Sequence, residues 1–332
     1  MCFYSRRLST SALFIACVLA KNLRVEAFTS LASNRSTSIR TRTTSTAVDN
    51  TFSSKPLKMV IPFLPFTQVI SDVDDTLKSS GGVKIGDIAL GGIDRQYERG
   101  EFYPGVFQFM FELSISSFES RGISPQEGSL HGLAPPKVAV LTARAEEFKL
   151  ALELKEDSKL AKAFRKTGEE FGVEQWGLGP VLYGSVAEWI IQDRKGLRKF
   201  SNFERLINQD PTGEIMEYIY VGDTGELDQE AGETMLREYP EVVKAVFLHV
   251  VSEEPLPPIP ESKLINGRPV IFFRTYVGAA VNAKKLGLVS ESAMMRVVAA
   301  AQQALESVSR TSDKWQDIYK DVSEAYQLLE SE

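Results

Sequence analysis

The residues of this sequence that could do chemistry are mainly carboxylates, and they stand where strand-like segments end. Four aspartates and one threonine form the group: Asp72, Asp74, Thr142, Asp223 and Asp228. The strand-like segments that carry them are 67–73, 137–141 and 218–221. Parallel sheets bind their ligands at the carboxyl ends of their strands. The pattern therefore predicts one sheet edge whose oxygen atoms hold a divalent cation and a phosphoryl group.

The cysteine and histidine counts exclude several other kinds of site. The 332-residue chain has two cysteines, Cys2 and Cys17, and both lie in the N-terminal leader. Its two histidines are His131, in a loop rich in Gly and Pro, and His249, in a buried-strand pattern. We expect both histidines to be structural. Without the leader the chain offers no disulfide, no thiolate zinc site and no cysteine nucleophile, and a three-histidine metal centre is excluded as well.

The charge is divided unevenly along the chain. Residues 1–48 contain seven Lys and Arg and one Glu, a net charge of +6. The remaining residues contain 31 basic and 43 acidic side chains, a net charge of −12. Such an acidic body is a poor electrostatic match to nucleic acid or to an anionic bilayer. We expect no nucleic-acid partner, and a peripheral membrane contact would need local basic or apolar features.

The first fifty residues resemble targeting signals. Arg6 and Arg7 precede an apolar run at 12–20, which at nine residues is too short to span a bilayer. Residues 28–48 are rich in Ser and Thr and contain no acid, as transit peptides do. We predict a signal-peptide-like segment at 1–27 and a transit-peptide-like segment at 28–50, which together indicate a plastid. A secretory location is the alternative. We expect no transmembrane helix in the mature chain.

Beyond the leader, strand-like and helix-like patterns alternate, which indicates a parallel sheet covered by helices. Besides the three strands above, further strands are predicted at 180–183 and 245–251, with an edge strand at 270–273. Helices are predicted at 103–118, from 146, at 186–207 and twice after residue 290. We predict a doubly wound, mostly parallel α/β domain with helices on both faces at 60–285. C-terminal helices follow at 286–332.

The motifs together carry a more specific resemblance. The chain has DxDxT at 72–76, a hydroxyl after the second strand, a lysine on a helix and GDxxxxD at 222–228, in that order. This set resembles the four motifs of the haloacid dehalogenase superfamily. Within it, ISDVDDT, VLTAR, K-x₃-FERLI and VGDTGELD look like the catalytic domain of the actin-patch phosphatidate phosphatase family. The resemblance implies a haloacid dehalogenase-like fold with a minimal cap.

The same resemblance implies a magnesium-dependent phosphatase that works through an aspartyl phosphate. Asp72 matches the nucleophile and Asp74 the general acid and base. Thr142 matches the residue that hydrogen-bonds a phosphoryl oxygen, and Lys199 matches the lysine that neutralises the phosphoryl group. The implied Mg²⁺ ligands are Asp72, Asp74 through its backbone carbonyl, Asp223 and Asp228, and the implied substrate contacts are Thr76 and Arg144.

Two questions about the site stay open at this point. Lys195 is a rival for the role of Lys199, which we prefer because the FERLI sequence at 203–207 follows it at the family spacing. Glu226 and Asp75 either help to bind the metal or are solvated turn charges.

The segments that surround the predicted site bear on the size of its substrate. About 27 glycine-rich residues between Asp75 and Tyr103 could form a flap, and 119–136 could form a second lid, but neither is large enough for a cap domain. An open site suits a bulky substrate, and the resemblance implies phosphatidate, hydrolysed to diacylglycerol and phosphate. The alternatives are a soluble phosphomonoester and a non-catalytic phosphate- or lipid-binding role. The apolar segment 270–280 lies either near a lipid or in the core.

Overall fold

The computed structural model describes most of the chain beyond the leader. The described residues are 66–82, 84–85, 88–89, 92–120, 122–123, 134–145, 154–184, 195–210, 213–225, 227–253 and 257–331. The two predicted targeting segments, the helix predicted from 146 and the loop with His131 lie outside them. Those four features stay predictions.

Strands and helices alternate along the described residues. The strands are β1 Phe66–Ser71, β2 Lys84–Ile85, β3 Ile88–Ala89, β4 Val138–Ala145, β5 Leu178–Gly184, β6 Ile215–Asp223, β7 Val243–His249, β8 Lys263–Ile265 and β9 Arg268–Phe273. The helices are α1 Val106–Glu119, α2 Lys159–Glu170, α3 Lys195–Asn208, α4 Asp228–Glu238, α5 Tyr276–Lys285, α6 Glu291–Ala304 and α7 Asp313–Glu330.

Seven of these strands form one mostly parallel sheet in the order β5-β4-β1-β6-β7-β9-β8. Every neighbouring pair is parallel except β8 and β9, which are antiparallel. Strands β2 and β3 form a separate antiparallel hairpin. The predicted α/β class with a mostly parallel sheet is therefore confirmed. Because β1 lies between β4 and β6, the polypeptide that leaves β1 has neighbouring strand ends on both sides.

The sheet is buried on both faces, which explains its nearly continuous apolar strands. In β1, Val69 belongs to a core cluster that includes residues of α1 and α5, whereas the next residue, Ile70, belongs to a second cluster. The second cluster includes Phe203 of α3 and Met235 of α4. Successive side chains of a strand point to opposite faces, so one short segment contributes to both layers.

Three sequence-based predictions need correction. Residues 270–273 are not an edge strand, because β9 lies between β7 and the true edge strand β8. The second strand does not end at Leu141 but continues to Ala145, so Thr142 lies within β4 and not after it. Helices α2, α4 and α5 were not predicted as separate elements.

The C-terminal helices belong to the same compact unit as the sheet. Helix α6 packs against α1 and α5, and α7 packs against α5, as the prediction of two packing helices requires. The apolar segment 270–280 is in the core, where Val270, Val277 and Ala280 have no exposed surface. No helix in the described part of residues 66–331 has both the length and the apolar character needed to cross a bilayer.

Candidate functional site

Three buried aspartates meet at the carboxyl ends of β1 and β6. Asp72 follows β1, Asp223 is the last residue of β6, and Asp228 is the first residue of α4. One carboxylate oxygen from each residue lies within 4.8 Å of the other two. The two strands are parallel neighbours, and the backbone N–H of Asp72 donates to the carbonyl of Val221 at 3.1 Å. The sheet register thus brings together carboxylates that are about 150 residues apart in sequence.

Backbone N–H groups at and just after the end of β6 donate to the carboxylates of the last two aspartates. The backbone N–H of Asp223 donates to Asp228 Oδ2 at 3.2 Å, and the N–H of Gly225 donates to Asp223 Oδ1 at 2.5 Å. Leu227 has the left-handed φ of 62°, which turns the chain into α4 with Asp228 pointing inward. Asp223 Oδ2 is buried and has no hydrogen-bond partner within the described residues. This oxygen is free to bind a ligand.

Lys199 of α3 lies against the same carboxylates. Its side chain has no exposed surface, its Nζ is 3.1 Å from Asp72 Oδ1, and it also donates to Asp228 Oδ1. We call Asp72, Asp223, Asp228 and Lys199 the acidic cluster. Its four charged groups sum to −2. The ammonium group therefore neutralises only part of the charge that the fold buries here.

The charge and the donor set of the acidic cluster fit a divalent cation. Burial raises the pKa of Asp223 well above its usual range, and the nearby Asp228 carboxylate raises it further, while Lys199 lowers it. Unpaired buried charge is costly, so a bound cation would relieve this repulsion. Carboxylate oxygens are hard ligands that suit Mg²⁺ or Ca²⁺. The cluster could hold a metal ion of this kind.

The other predicted catalytic residues lie nearby but outside the three-aspartate group. Asp74 is two residues beyond Asp72 in the loop after β1, and its surface is 7% exposed. Thr142 is buried in β4, the neighbour of β1 on the side opposite β6. Asp74 is close to Asp72 along the chain, and the register that pairs Ser71 with Val140 brings Thr142 to the same end of the sheet.

The structure describes only some of the four remaining candidate site residues, Thr76, Arg144, Lys195 and Glu226. Thr76 is fully buried, and its hydroxyl has no partner in the part of the chain that the structure describes. Arg144 lies in β4, but its side chain is outside the described residues, as is that of Lys195. Glu226 is outside them altogether. Among the described side chains, Lys199 is the lysine that contacts Asp72.

Asp75 has a partner set that the sequence did not reveal. Its carboxylate accepts backbone N–H groups from Ser80 at 2.7 Å, Ile93 at 2.6 Å and Asp94 at 3.0 Å. Burial raises the pKa of Asp75 to about 6, although the backbone N–H donors lower it. The three-aspartate group does not include it. No sequence pattern pointed to this role, because the partners depend on the path of the following segment.

Two buried aromatic side chains hold the backbone of the loop after β1. His249 is 3% exposed, and its Nδ1 lies 2.7 Å from the carbonyl oxygen of Asp75. Tyr276 donates its hydroxyl to the carbonyl oxygen of Thr76 at 2.6 Å. The prediction that His249 is a buried strand residue is confirmed, and its contact with the loop adds a supporting function. The only sequence feature related to that function was the buried-strand pattern around His249.

A comparison with known proteins found no relative of this chain. The sequence matches no protein-family model, and neither the curated proteins nor the solved structures contain a match to it. The motifs and the geometry of the acidic cluster are therefore the features that indicate a function.

Proposed function

We propose that this chain is a magnesium-dependent phosphatase in which Asp72 is the nucleophile. The observation that carries the proposal is the acidic cluster of the described residues. Three buried carboxylates lie together, Lys199 pairs with two of them, and the third has an oxygen without a donor. The cluster lies at the carboxyl end of adjacent parallel strands, which is where such folds bind ligands. The four motifs that resemble the haloacid dehalogenase superfamily support the same reaction, and with it a doubly wound fold of that type.

The residues that would hold Mg²⁺ are Asp72, Asp223 and Asp228, together with the backbone carbonyl of Asp74. When bound, Mg²⁺ would supply positive charge that offsets the negative charge of the phosphate ester. The carboxylate oxygens of the acidic cluster match the oxygen ligands that Mg²⁺ prefers. Asp223 is the key ligand in this scheme because its Oδ2 has no competing hydrogen bond from the described residues.

The reaction would proceed in two displacements at phosphorus. A carboxylate oxygen of Asp72 attacks the phosphorus, the bond to the ester oxygen breaks, and Asp74 donates a proton to the leaving oxygen. Water then attacks the phosphorus of the aspartyl phosphate while Asp74 accepts a proton from it. The bond to Asp72 breaks, phosphate is released, and both aspartates return to their initial states.

Two other side chains would orient and neutralise the phosphoryl group. Lys199 Nζ lies 3.1 Å from Asp72 Oδ1, so it can hold this oxygen in place and then balance the charge of the phosphoryl oxygens. Thr142 would donate its hydroxyl to one of those oxygens from the neighbouring strand β4. Arg144 and Thr76 would contribute to substrate binding, Thr76 through the loop that it supports.

We further propose phosphatidate as the substrate, converted to diacylglycerol and phosphate. Support comes from the resemblance of the motifs to the actin-patch phosphatidate phosphatase family and from the small size of the segments available as a cap. Such a substrate requires peripheral contact with a membrane. The leader composition supports a plastid location for this reaction.

Phosphate release by the full-length chain tests the proposal, with phosphatidate in mixed micelles and a panel of soluble phosphomonoesters, with and without Mg²⁺. We expect Mg²⁺-dependent release from phosphatidate and a loss of at least about 10³-fold in kcat for Asp72→Asn, because the amide is not a nucleophile. Asp321→Asn is a matched control, since this partly buried aspartate of α7 accepts a hydrogen bond from Thr275 at 2.6 Å and lies outside the acidic cluster.

Each outcome of the assay has a distinct meaning. Release from a soluble ester alone would keep the mechanism and replace the lipid substrate. Equal inactivity of the folded wild type and of Asp72→Asn on every substrate would refute the phosphatase proposal. A non-catalytic phosphate- or lipid-binding role would then be tested by direct binding measurements.

A further inference from the structure

The loop after β1 is joined to a segment about 18 residues further on through one carboxylate. Asp75 Oδ2 accepts the backbone N–H groups of Ile93 and Asp94, and Oδ1 accepts that of Ser80. We call residues 92–94 the flap stem, because they follow the β2–β3 hairpin and lead back to the domain. The carboxylate therefore closes the base of the hairpin by binding both the chain that leaves for it and the chain that returns.

The backbone geometry shows that this contact is built into the fold. Asp75 has the left-handed φ of 57°, which is unfavourable for a residue with a side chain. Gly92 has a φ of 145°, and a Cβ added there would lie 2.1 Å from Asp75 Oδ2. The carboxylate can reach the flap stem only because residue 92 has no side chain. Three charge-assisted hydrogen bonds offset the conformational cost at Asp75.

The flap stem in turn lies beside the loop that carries Asp223. Ile93 is close to Gly225 of that loop, where an added Cβ would lie 3.2 Å from Ile93 Cγ1. The N–H of Gly225 donates to Asp223 Oδ1. Asp75, which follows Asp74, is therefore linked through the flap stem to the loop that carries Asp223.

We propose that Asp75 is a positioning residue that sets the flap stem against the Asp223 loop. The proposal depends on the proposed phosphatase function, because its consequence is the geometry in which a phosphate ester meets Asp72 and Asp74. Asp75 binds no metal ion in this scheme, since both of its oxygens already accept backbone N–H groups. Displacement of reacting groups by about 1 Å can reduce a rate by about 10²-fold.

Two substitutions separate this role from metal binding. Asp75→Asn keeps the size of the side chain, and asparagine tolerates the left-handed conformation, but its amide NH₂ cannot accept the N–H groups. Gly92→Ala leaves Asp75 unchanged and places a methyl group where the carboxylate must lie. Gly100→Ala is the matched control, because Gly100 also has a positive φ, of 82°, but has no atoms within 4 Å of an added Cβ.

Three readouts on the full-length chain test the proposal. We expect Asp75→Asn and Gly92→Ala to lower kcat by about 10- to 100-fold, with a smaller change in KM. Hydrogen exchange at the amides of Ile93 and Asp94 should become at least about tenfold faster in Asp75→Asn. The rise in melting temperature caused by Mg²⁺ should persist in both variants, and Gly100→Ala should resemble the wild type in kcat.

The outcomes keep this proposal distinct from the proposed function. Loss of the Mg²⁺-induced rise in Asp75→Asn, while Gly92→Ala retains it, would show that Asp75 is a metal ligand and would overturn the positioning role. Unchanged kcat and unchanged amide exchange in Asp75→Asn would also overturn it. If the wild type hydrolyses no phosphate ester, the phosphatase proposal fails, and the exchange and melting data alone decide whether Asp75 holds the flap stem.

Discussion

Among the described residues, charged side chains are buried together in the acidic cluster and also in an ion-pair cluster between α1 and α6. The ion-pair cluster consists of Glu112, Glu119 and Arg296. Arg296 binds Glu112 through two hydrogen bonds of 2.7 Å and also donates to Glu119, whose other oxygen accepts from Ser290 at 2.6 Å. Every carboxylate oxygen of this cluster has a donor. In the acidic cluster, by contrast, Asp223 Oδ2 has none among the described residues.

Burial is the main reason that the pKa of a carboxyl group is raised in each cluster. The second largest contribution lowers the pKa in the ion-pair cluster and raises it in the acidic cluster. Burial raises the pKa of Glu112 to about 7, and hydrogen bonds from Arg296 lower it. Burial also raises the pKa of Asp223, but its next neighbour, Asp228, raises it further. The ion-pair cluster carries a net charge of −1 and gives every carboxylate oxygen a donor. The acidic cluster carries −2 and, among the described residues, leaves Asp223 Oδ2 for a ligand to bind.

The largest stability effect is expected in the ion-pair cluster. Arg296→Met should lower the free energy of unfolding by about 3–5 kcal/mol, because it leaves two buried carboxylates without their partner. Urea denaturation measures this change. Lys285→Met is the control, since Lys285 and Glu324 form an exposed pair at 2.6 Å that we expect to contribute less than about 1 kcal/mol. Equal losses in the two variants would remove the distinction between them.

The second prediction concerns binding of the cation. Mg²⁺ at about 100 times its dissociation constant should stabilise the wild type by about 2.7 kcal/mol. Asp223→Asn should lose most of this gain, because it removes the negative charge of the principal ligand, whereas Arg296→Met should retain it. Thermal unfolding with increasing Mg²⁺ gives the comparison. A full gain in Asp223→Asn would contradict the assignment of the acidic cluster as the metal site.

The smallest effect is expected without divalent cations. Asp223→Asn should then stabilise the fold by about 1–2 kcal/mol, because it removes a buried negative charge that Asp72 and Asp228 repel. Asp228→Asn should not be stabilising, since Asp228 accepts from Lys199 and from the N–H of Asp223. Urea denaturation in the presence of a chelator tests both variants. If Asp223→Asn is destabilised as much as Asp228→Asn, Asp223 is a structural residue.

Some elements were predictable because their patterns are local. Strand β6 was recognised from its apolar residues, and GDxxxxD at its end marked Asp223 and Asp228. Helix α4 was missed because its buried face includes Asp228 and Gly232 beside Ala231, Met235 and Leu236. Such a face does not register as an apolar stripe, since two of its positions carry no apolar side chain.

The sequence by itself determined the alternation of strands and helices and the positions of the aspartates at strand ends, because periodicity and motif spacing are properties of neighbouring residues. Only the tertiary structure decided that Asp75 binds the flap stem and that Arg296 pairs with Glu112, 184 residues away. These partners depend on how loops and helices pack across the fold. Among the described residues, Asp223 Oδ2 has no hydrogen-bond partner, and this too only the tertiary structure could show, because it depends on which neighbours the fold brings close.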